Sequence, residues 1–156
     1  MAIPARLTKH LTTLKLKNDV VPHRTVFTVY DLAQTLKVKL NTIAKTLVVK
    51  TDAGLALVVV PAHRRLDFGA VKKALQVKSV SLASEKEMVK KLKIKPGAMT
   101  AFGTYHKLPL VVDRSLAKAE SMIFGAGSFT ESLRVKVKPY LKTQEPTIAP
   151  VAKAAK

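Results

Sequence analysis

The chain has no cysteine and no tryptophan, only six glycines, and ten acidic residues in a length of 156. Without cysteine there are no disulfides, thiolate metal sites, cysteine nucleophiles or thiol redox couples, so a reducing compartment is permitted and the cytoplasm is the expected location. The longest run of uncharged, largely apolar residues, Leu55 to Ala62, is far short of the roughly 20 residues of a membrane span. The opening MAIPARLTKHLTTLKLK puts charges where an export signal needs an apolar stretch. Neither membrane insertion nor export is expected.

The scarce acids stand singly, so no carboxylate pair suited to glycoside chemistry can be picked out. His10, His23, His63 and His106 show neither HxxxH nor HxH spacing, and no metal site is expected. There is no GxSxG and no GxxxxGK[ST], and Gly125-Ala126-Gly127 lacks the third glycine of a dinucleotide fingerprint. Nucleotide hydrolysis and hydride transfer are therefore disfavoured, and no cofactor is expected.

What the chain does have is 28 Lys+Arg, a net charge of +18, and 47% hydrophobic residues. Disordered basic tails lack that apolar content, so the charge belongs to a folded body of single-domain size. Such a body attracts polyanions, nucleic acid first and anionic membrane second. A third reading is a lysine-rich surface with no single target. The lysines alternate with apolar residues, as in LKLK at 14–17, LKVKL at 36–40 and RVKVK at 134–138, instead of forming one helical stripe.

Leu7, Leu11 and Leu14 recur at helical spacing, and residues 1–19 read as a helical segment packed on the domain. Thr28 followed by Asp31 predicts a capped helix burying Val29, Leu32, Ala33 and Leu36. IAKTLVVK and LALVVV, separated by Thr51-Asp52-Ala53-Gly54, predict a hairpin. Asp67 and the Ser84/Glu87 box predict two more helix starts, while VKSVSL, LPLVVD, SMIFGAG and ESLRVKV supply further strands. Elements interleave without a regular βαβ period, which predicts an α+β domain with a mixed sheet over residues 20–142. Residues 143–156, QEPTIAPVAKAAK with its preceding Thr143, are expected to be a flexible Pro/Ala/Lys tail.

Lys45 stands apart. In a strand over residues 43–50 it shares a face with Ile43, Leu47 and Val49. An ammonium there needs an anion, unless it snorkels to solvent or pairs with Asp113. Asp113, at the end of LPLVVD, also suits a helix N-cap before SLAKAE. Gly125, Gly127 and Ser128 can converge backbone N–H groups on an oxyanion, or simply form a tight turn into the next strand. Pro96 through Phe102 and Gly103 reads as a long loop of the kind that lines sites.

Taken in order, HRTVFTVYDLAQTL, IAKTLVVK, LVVVPAHRRLDFGAVKKAL, KPGAMTAFG, LPLVVDRSL and FGAGSFTESLRV resemble the YbaK/prolyl-tRNA-synthetase-associated editing domain family over about residues 20–141. The resemblance implies a free-standing aminoacyl-tRNA deacylase that hydrolyses the ester of a mischarged tRNA, most readily tRNA for proline, without metal or cofactor. It implies a strongly curved, barrel-like mixed sheet flanked by helices, with Lys45 at the family's essential lysine position. By the same resemblance Gly97, Ala101, Phe102, Gly103, Asp113, Gly125, Gly127 and Ser128 bind substrate, and His23, Thr28 and Tyr30 are further pocket candidates. The expected partners are the aminoacylated 3′ end of tRNA and a synthetase. Tyr30, Phe102 and Tyr105 are candidates for stacking the terminal adenine, as is Phe27, which suits the core better. Two departures stand out: Ala101 replaces the proline of a GxxxP motif, and Phe129 stands where some members have histidine. Both raise the alternative of a catalytically silent tRNA- or rRNA-binding module. A weaker third reading is a scaffold whose ligand is a small ester or aminoacyl adenylate.

Overall fold

Helical leucine spacing becomes α1 (Ala5–Leu14), whose Leu7 and Leu11 are buried. A short strand, β1 (Asp19–Pro22), leads to α2 (Val29–Leu36), where the Thr28 hydroxyl accepts from the Asp31 amide at 3.0 Å. After a 3-10 turn at Leu40–Thr42 come β2 (Ala44–Thr51), β3 (Gly54–Pro61) and β4 (Arg64–Leu66). Asp67 then caps α3 (Phe68–Leu75) by accepting from the Ala70 amide at 3.2 Å. β5 (Val80–Leu82) precedes α4 (Glu85–Leu92), which starts with the reciprocal Ser84/Glu87 box. The remainder is α5 (Gly103–His106), β6 (Leu110–Asp113), α6 (Arg114–Ala117), β7 (Ser121–Gly125), β8 (Glu131–Lys136), α7 (Val137–Gln144), β9 (Thr147–Ala149) and β10 (Ala152–Ala154). This computed structural model describes residues 3–26, 28–92 and 99–154, so Phe27 and Gly97 lie outside the described residues.

The predicted hairpin forms, with Thr51 opposite Gly54 and Lys45 opposite Val60. It is the centre of a five-stranded mixed sheet ordered β5-β2-β3-β6-β9, beside a three-stranded sheet β1-β8-β7 and a two-stranded ribbon β10-β4. Both faces of the large sheet are covered, which is why β3 reads as an unbroken apolar run instead of alternating. On one face Val48, Leu57, Val59 and Val112 join Leu7, Phe124, Leu133 and Tyr140. On the other, Val49, Val58, Val60 and Val111 meet Val71 of α3 and Val151. A third cluster gathers Ile43, Ala62 and Ile123 under Leu32 and Ala33 of α2.

Two expectations are corrected. The α+β class and the mixed sheet stand, but the sheet is not a strongly curved barrel. Among the described residues, β2 and β7 meet through one parallel bridge, Ile43 with Ile123, and no continuous ladder closes the large sheet onto the small one. Side chains from both sheets fill the space between them.

Residues 143–156 are likewise not a free tail as far as they are described. α7 runs to Gln144, β9 pairs in parallel with β6, and β10 pairs antiparallel with β4. Val151 is fully buried. Too short to signal themselves by periodicity, these strands form because exposed edges and a buried carboxylate are waiting for them.

Candidate functional site

β2 has eight residues while its neighbour β5 has three, and the two pair only from Val49 to Thr51. Among the described residues, β2 from Lys45 to Leu47 therefore has no strand partner on the side away from β3. The Ala83 amide donates to the Val48 carbonyl at 2.9 Å, so by antiparallel alternation the main-chain groups of Thr46 also face that side, away from β3. Beside this edge lies a cavity of about 320 Å³, lined by Val29 of α2, Ala44 to Val48 of β2, Leu82 and Ala83, Met88 of α4, Met99, and Gly125 at the end of β7.

Lys45 is the one charged side chain among those lining residues. It is half-buried, and desolvation lowers its pKa from the ordinary lysine value. Among the described residues it has no ion pair, the one recorded bridge being Lys50 to Glu87 at 3.1 Å on the far half of β2. An ammonium held partly out of water, against apolar walls and without an internal anion, is an anion- or carbonyl-binding feature.

Asp113 is the opposite case. It is 3% exposed. One carboxylate oxygen accepts from the amides of Val151 at 2.9 Å and Ala152 at 3.0 Å. The other caps α6, accepting from the Ser115 amide at 3.2 Å and from the Ser115 hydroxyl. The expectation that it orients Lys45 or a substrate amine is corrected: its acceptor capacity is committed to fastening the C-terminal strands and starting a helix.

The other predicted residues divide. Gly125 lines the Lys45 cavity, and a Cβ built there would meet nothing within 4 Å. Gly127 has a φ of +80°, the left-handed conformation that favours glycine in a tight turn. The Ser128 hydroxyl accepts from the Thr130 and Glu131 amides, both at 3.1 Å, which orders the entry to β8. Ala101 and Phe102 are fully buried: the Ala101 carbonyl accepts from the Tyr140 hydroxyl, and the Phe102 ring packs edge-on against Phe124 at 5.3 Å. Gly103 is buried where a Cβ would come within 2.9 Å of the Leu110 Cβ. The Ala101 and Phe102 side chains are spent on packing, so Phe102 offers no face to a base, and Gly103, close-packed against Leu110, lines a separate cavity of about 310 Å³ with Thr104 and Gln144.

Thr28 serves as the α2 cap and is exposed, while Tyr30, 58% exposed, follows the cavity-lining Val29 on the first turn of α2 and is not itself among the lining residues. His23 donates through Nδ1 to the Arg24 carbonyl at 2.8 Å, with Nε2 3.0 Å from the Ser132 hydroxyl, which ties it to β8. Tyr105 contacts the rings of His10 and His106, away from the lining set. Residues that sequence reading missed are Val29, Met88 and Met99 as walls and the Thr46 main chain as a polar group. The mismatch between a long strand and the short VSL strand beside it was the available signal.

Comparison with known proteins gives consistent relatives. A model of the aminoacyl-tRNA editing domain matches residues 23–143. The crystal structure of a hypothetical protein aligns with a TM-score of 0.87 at 25% identity, covering 95% of this chain and 99% of that one. The structure of a proposed trans-editing enzyme for prolyl-tRNA synthetase aligns with a TM-score of 0.80 at 22% identity, covering 96% of each chain. None of the curated proteins matches the sequence.

Proposed function

The chain belongs to the aminoacyl-tRNA editing domain family, and from that premise we propose that it is a trans-acting deacylase that hydrolyses the ester of a mischarged tRNA, with tRNA for proline as its RNA. The observation that carries this reading is Lys45: a partly desolvated ammonium with no ion pair among the described residues, in a cavity of about 320 Å³ that suits one small side chain with its ester.

In this proposal Lys45 binds the ester carbonyl oxygen or the adjacent phosphate, and the Thr46 amide offers a second donor on the side of β2 away from β3. Water adds to the ester carbonyl. The negative charge that develops on oxygen is stabilised by the ammonium and the amide, and the carbon–oxygen bond to the ribose breaks as the ribose oxygen takes a proton. The products are the free amino acid and tRNA with its terminal hydroxyl restored. An aminoacyl ester is already activated, so no enzyme nucleophile is needed. Apolar walls from Val29, Met88 and Met99 would select a small side chain, and Tyr30 would stack the terminal adenine. A synthetase partner and a cytoplasmic location follow from the same reading.

The test is a deacylation panel of Ala-, Cys-, Ser- and Pro-charged tRNA for proline, with unrelated mischarged tRNAs, for wild type and Lys45→Ala. Turnover of one mischarged species, lost in the variant with circular dichroism unchanged, is the expected result. Silence across the panel with RNA still bound would favour the binding-module reading, which Ala101 in place of proline and a charge of +18 support. Hydrolysis of the aminoacyl ester independent of the RNA body would favour a small-molecule ligand.

A further inference from the structure

A cavity of about 520 Å³ lies apart from the Lys45 site. It lies where the end of α1 and the following connection meet the β7–β8 pair. Two of the alternating Lys/apolar motifs converge there. In LKLK, Leu16 is buried while Lys15 and Lys17 are exposed; in RVKVK, Val135 and Val137 are buried while Arg134 and Lys136 are exposed. Core packing therefore turns the cations of both motifs outward, and four of the five, Lys15, Lys17, Arg134 and Lys136, line the same depression.

Two acids, Asp19 and Glu120, also line it, and Asp19 sits opposite Arg134 in the β1–β8 register. Neither takes part in a recorded ion pair, the recorded bridge among described residues being Lys50 with Glu87. The groove thus keeps a formal excess of two positive charges, four cations against two acids, free for an outside partner. Arg134 and Lys136 are two residues apart on one strand face, hence about 7 Å apart, on the order of the step between neighbouring phosphates of a nucleic-acid strand. The start of α7 adds to the field, because Lys136 caps it without a side-chain hydrogen bond and Pro139, in its first turn, lines the groove.

We propose that this groove is a docking surface for the phosphate backbone of RNA, separate from the Lys45 cavity, holding the RNA body by charge without reading its sequence. A concave seat lined by four exposed cations matches the convex, phosphate-bearing edge of a nucleic-acid strand or helix more closely than it matches a flat bilayer. The inference rests on the proposed deacylase activity only for which RNA is held.

The experiment measures binding of an uncharged hairpin RNA with a single-stranded 3′ end by fluorescence anisotropy across a salt series. Proteins compared are wild type, Lys15→Gln/Lys17→Gln, Arg134→Gln/Lys136→Gln, and a charge-matched Lys72→Gln/Lys73→Gln control on α3, each checked by circular dichroism. Each groove pair is expected to weaken binding about tenfold at low salt and to lower the log–log salt slope by about 1 to 2, roughly 0.7–0.9 for each phosphate contact removed, while the control pair stays near wild type. Equal losses in the control, unchanged slopes in both groove pairs, or no RNA binding alongside groove-dependent binding to phosphatidylserine vesicles would each overturn the proposal. Groove-dependent RNA binding by a wild type without deacylase activity would retire the proposed reaction and leave the groove standing. A Lys45→Ala variant that loses turnover but keeps wild-type RNA affinity supports both.

Discussion

Lys45 and Asp113 are charges on strands of the same sheet, β2 and β6, separated by β3, and their surroundings are opposite. Asp113 is sealed and accepts four hydrogen bonds from Ser115, Val151 and Ala152. Lys45 is half-buried, with its pKa lowered by desolvation, and has no ion pair among the described residues. A satisfied buried charge holds structure together, whereas an unsatisfied one raises the free energy of the empty protein and lowers it again only when something binds. The two should therefore fail differently when removed.

The largest effect is expected at Lys45. Lys45→Met should cut ester hydrolysis by roughly 10²–10³-fold, the range seen for loss of one oxyanion donor, and leave stability unchanged or raised by up to about 1 kcal/mol, since an unpaired ammonium leaves an apolar wall. Single-turnover deacylation alongside urea melts checks both halves; a destabilised Lys45→Met would put Lys45 in the same class as Asp113. Asp113→Ala should show the reverse, losing roughly 3 kcal/mol in urea unfolding, because the Val151 and Ala152 amides lose their acceptor and α6 its cap. Activity per folded molecule should survive, and protease sensitivity of the 147–154 segment should rise.

Two glycines extend the contrast at smaller size. Gly103→Ala forces a Cβ to 2.9 Å from the Leu110 Cβ and 3.0 Å from the Leu108 carbonyl, and should cost about 1–3 kcal/mol. Gly125→Ala meets nothing within 4 Å and should leave stability within about 0.5 kcal/mol while raising KM for the charged tRNA, because the new methyl enters the Lys45 cavity. Equal stability losses in the two variants would remove Gly125 from the site.

The subtlest test is pH. If the charged form of Lys45 does the work, turnover should fall on the alkaline side with a midpoint below that of an ordinary lysine, and Lys45→Arg should abolish that limb. On the acid side His106 has its pKa lowered to about 4 by burial, with its Nε2 accepting from the Thr100 amide at 3.2 Å. The unfolded chain then binds more protons than the folded one between about pH 6.5 and 4, so stability should fall as pH drops through that window. His106→Gln should flatten the slope, as read from urea midpoints at several pH values.

Local chemistry was legible wherever one segment carried the whole signal. The Thr28, Asp67 and Ser84/Glu87 caps and the Thr51–Gly54 turn each depend on side chains within a few residues of one another. The burial of Leu7 and Leu11 and the outward lysines of RVKVK follow from periodicity alone. Lys45 was legible as an anomaly in a strand register. Ala101, Phe102 and Gly103 were not legible as core, because a loop-like composition gives no hint that Tyr140 and Phe124 will close over it. The strands at Thr147–Ala149 and Ala152–Ala154 are three residues each, below any period, and exist through partners more than thirty residues away.

The main element types, the hairpin and its turn, the excess of positive charge and a lysine on an apolar strand face all follow from residue type and short-range spacing. Only the tertiary structure decided that the sheets stay open, that Asp113 is consumed by the C-terminal strands, that β2 outruns β5 and leaves a cavity beside Lys45, and that two distant basic motifs share one groove. Those outcomes depend on which edges and faces meet after folding, a matter of long-range packing and relative strand length that no local pattern encodes.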